Sequence, residues 1–277
     1  MITTNPFSEL LAPAIMQGYI ILMIIAVIGG TIIDTIHKKS AQYFFENAKK
    51  AEKNARRSVS GGTKIGLMIS TLLGEIMTSS EFNNVSRRIS HLLLMYGFIM
   101  FMVSTIMQVF VYPTSAEAGI WPMLWHLGAV MVMIGGYWFW FSIRVDVNSE
   151  GKSLFPLTKA DIFIVSLLLT TTFGLLWSLT GAGLAGLSLL FFVIYLAAMT
   201  VLFTTVLWSK FAHMFFKPAA AYQKKITKAD GSQENLPDLG ELNDPELQAK
   251  FPDIPEYMGK NPPNMGLGIK REAPNHY

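Results

Sequence analysis

Three of the five histidines sit inside apolar stretches, where an ionisable side chain is rare and is a functional candidate by default. His37 lies among basic residues and His276 is next to last, so neither carries an argument. His91 closely follows Arg87 and Arg88 at the start of one apolar run, and His213 shortly precedes Lys217 at the end of another. At a rise of ~1.5 Å per residue, both imidazoles lie roughly 5–6 Å inside a membrane boundary. Two imidazoles at matched depth on separate helices supply both axial nitrogens that a haem b iron needs, with the apolar macrocycle between the helices. Arg87, Arg88 and Lys210 stand at a depth suited to haem propionates, and Phe211, Phe215 and Phe216 are spaced to wall the ring. The plainer reading of the same spacing is a pair of interfacial histidines at helix ends.

His126 lies near the start of a third apolar run, beside Trp121 and Trp125. Its expected place is the opposite leaflet, nearly the full bilayer thickness of ~30 Å from the other two, too far to share a metal with them. Three roles stay open for it: a hydrogen bond to a quinone carbonyl, a second metal site with a methionine partner, or a hydrogen bond to a neighbouring helix. Trp121, Trp125 and Tyr112 suit an interfacial aromatic belt as well as a quinone pocket.

Little other chemistry is on offer. The chain has no cysteine, which excludes disulfides, thiolate iron–sulfur clusters and cysteine-ligated zinc within it. No phosphate-binding glycine loop, nucleophile elbow or zinc-hydrolase motif occurs. Asp34, Asp146 and Asp161 fall at the ends of apolar runs rather than in their middles, so a proton- or cation-coupled transport path has little support.

The elements that must hold these residues follow from hydropathy. The chain is 51% hydrophobic and 15% charged, where a soluble domain carries about a quarter charged residues. Its apolar runs predict an all-α bundle of five transmembrane helices, at about Leu11–Ile36, Arg88–Tyr112, Ile120–Ile143, Asp161–Leu179 and Leu187–Phe216, the last stopped by Lys217–Pro218. Between the first two runs, Lys49, Lys50, Lys53, Arg56, Arg57 and Lys64 make a basic loop over 48–80. Within it, Thr63–Met77 has apolar residues at helical spacing but is too short to span, which predicts an interfacial amphipathic helix.

Lys and Arg follow spans one, three and five, while the loops after spans two and four hold no cation. The positive-inside tendency then puts the N-terminus outside and the C-terminus in the cytoplasm. Residues 218–277 are Pro-rich, with acidic residues between Asp238 and Asp253, and cannot bury enough apolar surface to fold alone. They read as a cytoplasmic tail, either disordered or ordered by a partner. Phe251, Ile254, Tyr257, Met258 and Met265 supply apolar anchors for the second case.

Two segments resemble a known family. The run from Phe192 to Tyr222, with Ser209-Lys210-Phe211-Ala212-His213 near its end, resembles the last membrane helix of cytochrome b subunits related to the nitrate reductase gamma subunit. Nearer relatives are the membrane subunits of heterodisulfide reductase and of the quinone-interacting oxidoreductase that partners adenylylsulfate reductase. The segment RRISHLLLMYGF, 87–98, is similar to the family's second helix, whose early histidine corresponds to His91. The resemblance covers about residues 1–220 and implies axial ligation of one haem b by His91 and His213. Diheme members carry two more histidines, at about the places of Phe101 and Tyr195, so a second haem is not expected. A cysteine-free chain with a long tail is most similar in layout to the membrane anchor associated with dissimilatory adenylylsulfate reductase. That likeness implies an inner (plasma) membrane subunit passing electrons between a soluble cytoplasmic oxidoreductase, such as one of sulfite oxidation, and membrane quinone. A haem-free structural anchor and, more remotely, a small transporter are the alternatives. Nothing points to nucleic acid.

Overall fold

A computed structural model of the chain describes residues 5–8, 10–37, 40–80, 82, 84–114, 118–147, 151–155, 157–206 and 213–232. Among these the regular structure is entirely helical. Helix α1 runs Pro13–His37, α2 Ser40–Lys53 and α3 Gly61–Ser70, the last continuing as a π-helical turn over Thr71–Met77. Helix α4, Val85–Ile106, ends in a π turn at Met107–Val111, and α5, Trp121–Trp138, in another at Phe139–Ile143. Helices α6, Ile162–Thr180, α7, Ala185–Thr204, and α8, His213–Asp230, complete the order.

Five of these elements are long and apolar enough to cross a membrane: α1, α4, α5, α6 and α7, with their end turns. This is the architecture of a multi-pass membrane protein. The outward face of α1 shows why it needs a bilayer. Ile21, Leu22, Ile24, Ile25, Ile28, Ile32 and Ile33 are all exposed, an apolar patch that water does not tolerate.

Packing order along the bundle is α4 on α5, α5 on α6, α6 on α7, and α7 on α1. Glycines set the closest approach. A Cβ at Gly97 would sit 2.8 Å from the Gly128 carbonyl oxygen, and one at Gly135 would sit 2.7 Å from that of Ser90. Helices α4 and α5 therefore touch backbone to backbone, as small residues allow in membranes. The hydroxyl of Ser90 donates to the Gly135 carbonyl at 2.8 Å across this seam. Helix α1 closes on α7 through Tyr19, whose hydroxyl donates to the Leu196 carbonyl at 3.0 Å. Against α4 it rests chiefly on the π turn at that helix's far end.

An N-terminal turn, Pro6–Ser8, plugs that far end. The Asn5 amide donates to the carbonyls of Gln108 and Tyr112, and Phe7 fits among Trp125, Trp177 and Tyr195. At the opposite end a strong ion pair ties α5 to α6. Arg144 and Asp161 meet at 2.9 Å, both buried, and Trp140 lies under the guanidinium at 4.1 Å. Asp161 also accepts from the backbone and hydroxyl of Thr158.

Three expectations need correction. The fifth span ends at Thr204 rather than near Phe216. A helix of 20 residues already covers ~30 Å, so the apolar run of 187–216 exceeds what one crossing needs. The second correction concerns Pro218, which lies within α8 rather than ending a helix. It removes one backbone hydrogen bond there, and packing against the chain offsets that loss. Thus the first part of the expected tail is folded: Lys225 bridges Glu75 at 3.1 Å and donates to Ser70 at 3.0 Å, and the Asp230 carbonyl accepts from the Arg56 and Arg57 amides. Residues 233–277, with the acidic stretch and the apolar anchors, lie outside the described residues. Third, the segment joining the first span to the basic loop, together with the first residues of that loop, is helical over Ser40–Lys53, supported by the Gln42–Glu46 hydrogen bond at 2.7 Å. The amphipathic stretch is helical as its spacing predicts, and Ile65, Met68, Ile69, Leu72 and Leu73 stay exposed along it. Helices α2, α3 and α8 together form a cationic cap at the end of the bundle where α1 leaves and α4 enters.

Candidate functional site

The cap meets the bundle at His91. Asn84 caps α4, its side-chain oxygen accepting from the Arg87 amide at 3.1 Å, and this launches the helix so that His91 falls in its second turn. The half-buried imidazole has its Nδ1 at 2.9 Å from the Ser79 hydroxyl oxygen. Ser79 is fully buried and has φ of 49°, a left-handed conformation that a non-glycine residue adopts at a cost. Backbone strain thus goes with a hydrogen bond that fixes the histidine ring.

Phe82 stands beside the ring, with centroids 5.1 Å apart. Two cations face Phe82: Arg87 at 5.4 Å from α4, and Lys217 at 4.8 Å from α8. Lys217 lies about one turn beyond His213 on α8. The tertiary structure therefore brings the helix that begins with His213 to the surroundings of His91. The side chain of His213 lies outside the described residues, as does Lys210. His213 opens α8 instead of closing the fifth span.

The other expected site residues divide. Arg88 is engaged with the chain itself, its Nε donating to the Thr78 carbonyl at 2.7 Å. Phe211 and the side chain of Phe215 lie outside the described residues, whereas Phe216 packs against the bundle core. Leu94, Phe98 and Met102 on α4 and Val27 on α1 are partly buried against the same core. Leu94 points into the seam with α5, close to Gly136. Among the described residues no three His, Asp or Glu side chains converge as ligands for a bare metal ion.

His126 is separate. Its Nδ1 lies 2.6 Å from the Pro122 carbonyl, and its Nε2 lies 2.8 Å from the Ser178 hydroxyl oxygen. A carbonyl only accepts, so Nδ1 carries the proton, and the Nε2 of the neutral ring accepts from Ser178. Nε2 joins α5 to α6 through Ser178, while Nδ1 bonds one turn back within α5, so both nitrogens are engaged and the ring bridges two helices. Ser90 pairs with Gly135, and His126 is nine residues before Gly135, so His126 and His91 lie only ~12 Å apart along the bundle. The expected separation of nearly a bilayer thickness is too large, because each residue already sits well inside its span. The gap still forbids a shared metal.

Phe101 and Tyr195 face each other across Trp125, with ring centroids at 4.9 and 6.5 Å from the indole. Phe7, Trp177 and Phe192 complete this aromatic cluster. Sequence reasoning missed Ser79, Phe82 and Ser178. Only Ser79 carried a sequence signal, as a polar residue of the connection preceding a histidine-bearing helix. No family model, curated protein or solved structure matches the chain.

Proposed function

We propose that the chain is a membrane anchor and electron-transfer subunit that holds one haem b between His91 and His213. The observation that carries this reading is the His91 cluster. A buried, strained Ser79 orients the imidazole, and Lys217 of the helix begun by His213 reaches the adjacent Phe82. When Nδ1 donates to Ser79, Nε2 carries the lone pair, the arrangement that second-sphere partners impose on ligating histidines. Arg87 and Lys217 are the described cations placed to meet propionates, a role in which Lys217 joins the residues expected from sequence. A haem supplies one-electron transfer at low reorganisation cost. The aromatic filling around Phe101, Trp125 and Tyr195 supports a single haem, since no histidine occupies either of those two positions.

The cap supports docking of a soluble redox partner on the side of His91, with α3 and the C-terminal tail as contact surfaces. The resemblance to the anchor associated with adenylylsulfate reductase supports a soluble oxidoreductase as that partner, sulfite oxidation as the source of electrons and membrane quinone as the second reactant, and the positive-inside tendency supports the cytoplasm as the side of the cap. A reduced-minus-oxidised spectrum of the purified full-length protein tests the haem. A b-type band lost in His91→Ala and in His213→Ala is expected; absence of any band leaves the haem-free anchor, and a band retained in both variants moves the site elsewhere.

A further inference from the structure

An apolar groove of about 360 Å³ runs between α6 and α7. Ile162, Val165 and Leu169 form one wall, and Ile194, Ala197 and Val201 the other. Both walls belong to membrane-crossing helices, so the medium outside the groove is hydrocarbon. Its length follows from the helices: eight residues from Asp161 to Leu169 give ~12 Å. That falls just short of half the ~30 Å hydrocarbon thickness, so the groove belongs to one leaflet.

The mouth is at the charged end. Thr158 and Asp161 edge it, and the exposed Lys159 lies between them in sequence. Asp161 does not set the sign of this mouth, because Arg144 neutralises it in a buried pair and Thr158 donates to it twice. Lys159, exposed on the turn between the two edging residues, is the cation next to it. Before Lys159 in sequence, Phe155 and Leu157 are 83% and 64% exposed, apolar side chains on a connection that also carries cations. Such a connection sits at a headgroup boundary, with apolar groups in the acyl region and ammonium groups among phosphates.

We infer that this groove binds one chain of an anionic phospholipid, with the headgroup phosphate at Lys159. The inference is independent of the haem. Four features meet in it: an apolar wall, single-leaflet length, an opening at the interface and a cationic mouth over a neutralised acid. A quinone tail shares the apolar chemistry but brings no phosphate for Lys159.

Native mass spectrometry of the full-length protein, delipidated in mild detergent, decides the matter. Phosphatidylglycerol and phosphatidylcholine with identical chains are offered in competition. Phosphatidylglycerol should be retained about fivefold over phosphatidylcholine, the worth of one lysine near an anionic surface. Ala197→Phe and Val201→Phe fill the groove from exposed positions and should remove most bound lipid of both kinds while helical circular dichroism is unchanged. Two variants are used so that one misfolding leaves the other. Lys159→Glu should abolish the preference and leave phosphatidylcholine retention as it was. Equal retention of both lipids by the unmodified protein overturns the inference, as does undiminished retention in a folded groove variant. Displacement of phosphatidylglycerol by a long-chain quinone at equal concentration also overturns it and assigns the groove to quinone.

Discussion

Replacing Gly135 by Ala tests the close backbone contact of α5 with α4, the helix that carries His91. The new Cβ would lie 2.7 Å from the Ser90 carbonyl oxygen and 2.8 Å from the Leu93 Cβ. Ordinary contacts of this kind are ~3.5–4.0 Å. Neither neighbour is the mobile end of a side chain, so the two helices must part by most of an ångström. Overpacking of this kind costs about 1–3 kcal/mol. The same displacement stretches the Ser90–Gly135 hydrogen bond beyond useful length. Interhelical bonds in membranes contribute ~0.6 kcal/mol on average, so the sum is about 2–4 kcal/mol. Gly29→Ala is the internal control, since nothing lies within 4 Å of a Cβ there. Higher helix propensity makes that change neutral or stabilising by up to ~1 kcal/mol. Thermal unfolding in one detergent, followed by tryptophan emission, should lower Tm by on the order of 5 °C for Gly135→Ala and not for Gly29→Ala. Equal melting of Gly135→Ala and the parent protein would refute the close contact. An equal loss in both variants would show that the effect is generic to glycine replacement and not a matter of the seam.

Asp161→Asn leaves Arg144 buried without its counter-charge, which should cost about 3–5 kcal/mol, whereas Arg144→Met with Asp161→Leu should cost clearly less than the two single changes added; a double-mutant cycle in the same melting assay reads the coupling. Tyr195 is fully buried and its hydroxyl has no hydrogen-bond partner among the described residues, so Tyr195→Phe should leave Tm unchanged or raise it. A loss above ~1 kcal/mol in that variant would mean the hydroxyl is satisfied after all. Ser79→Ala removes the bond to His91 and keeps the left-handed strain, while Ser79→Gly removes both, so the glycine variant should be the more stable by about 1 kcal/mol. If the two melt alike, the strain at Ser79 is not real.

Four spans were legible to within a few residues because hydrocarbon thickness and apolar run length are one quantity seen twice. The fifth was misjudged, since apolar residues continue past Thr204 into a segment leading to a second helix. Composition does not reveal where one crossing is complete. Pro218 misled for a related reason: its penalty is local, and the contacts that outweigh it, such as Lys225 with Glu75, join residues 150 positions apart. His126 shows the same limit. Its place near the start of a span was readable, but its distance from His91 was overestimated, and Ser178, which occupies its second nitrogen, lies on another helix.

The sequence by itself determined the membrane class, the helical architecture and the two histidines worth testing, because these depend on residue type and on spacing along one chain. Only the tertiary structure decided what surrounds them. It set the helix order, the backbone seam at Gly97, Gly128 and Gly135, the Arg144–Asp161 clamp, and the meeting of Ser79, Phe82 and Lys217 at His91. Hydrophobicity places helices in a bilayer without choosing their neighbours, for lipid solvates every apolar face equally well. Neighbours are chosen by close packing and by hydrogen bonds between distant residues, and those come into being only when the helices have met.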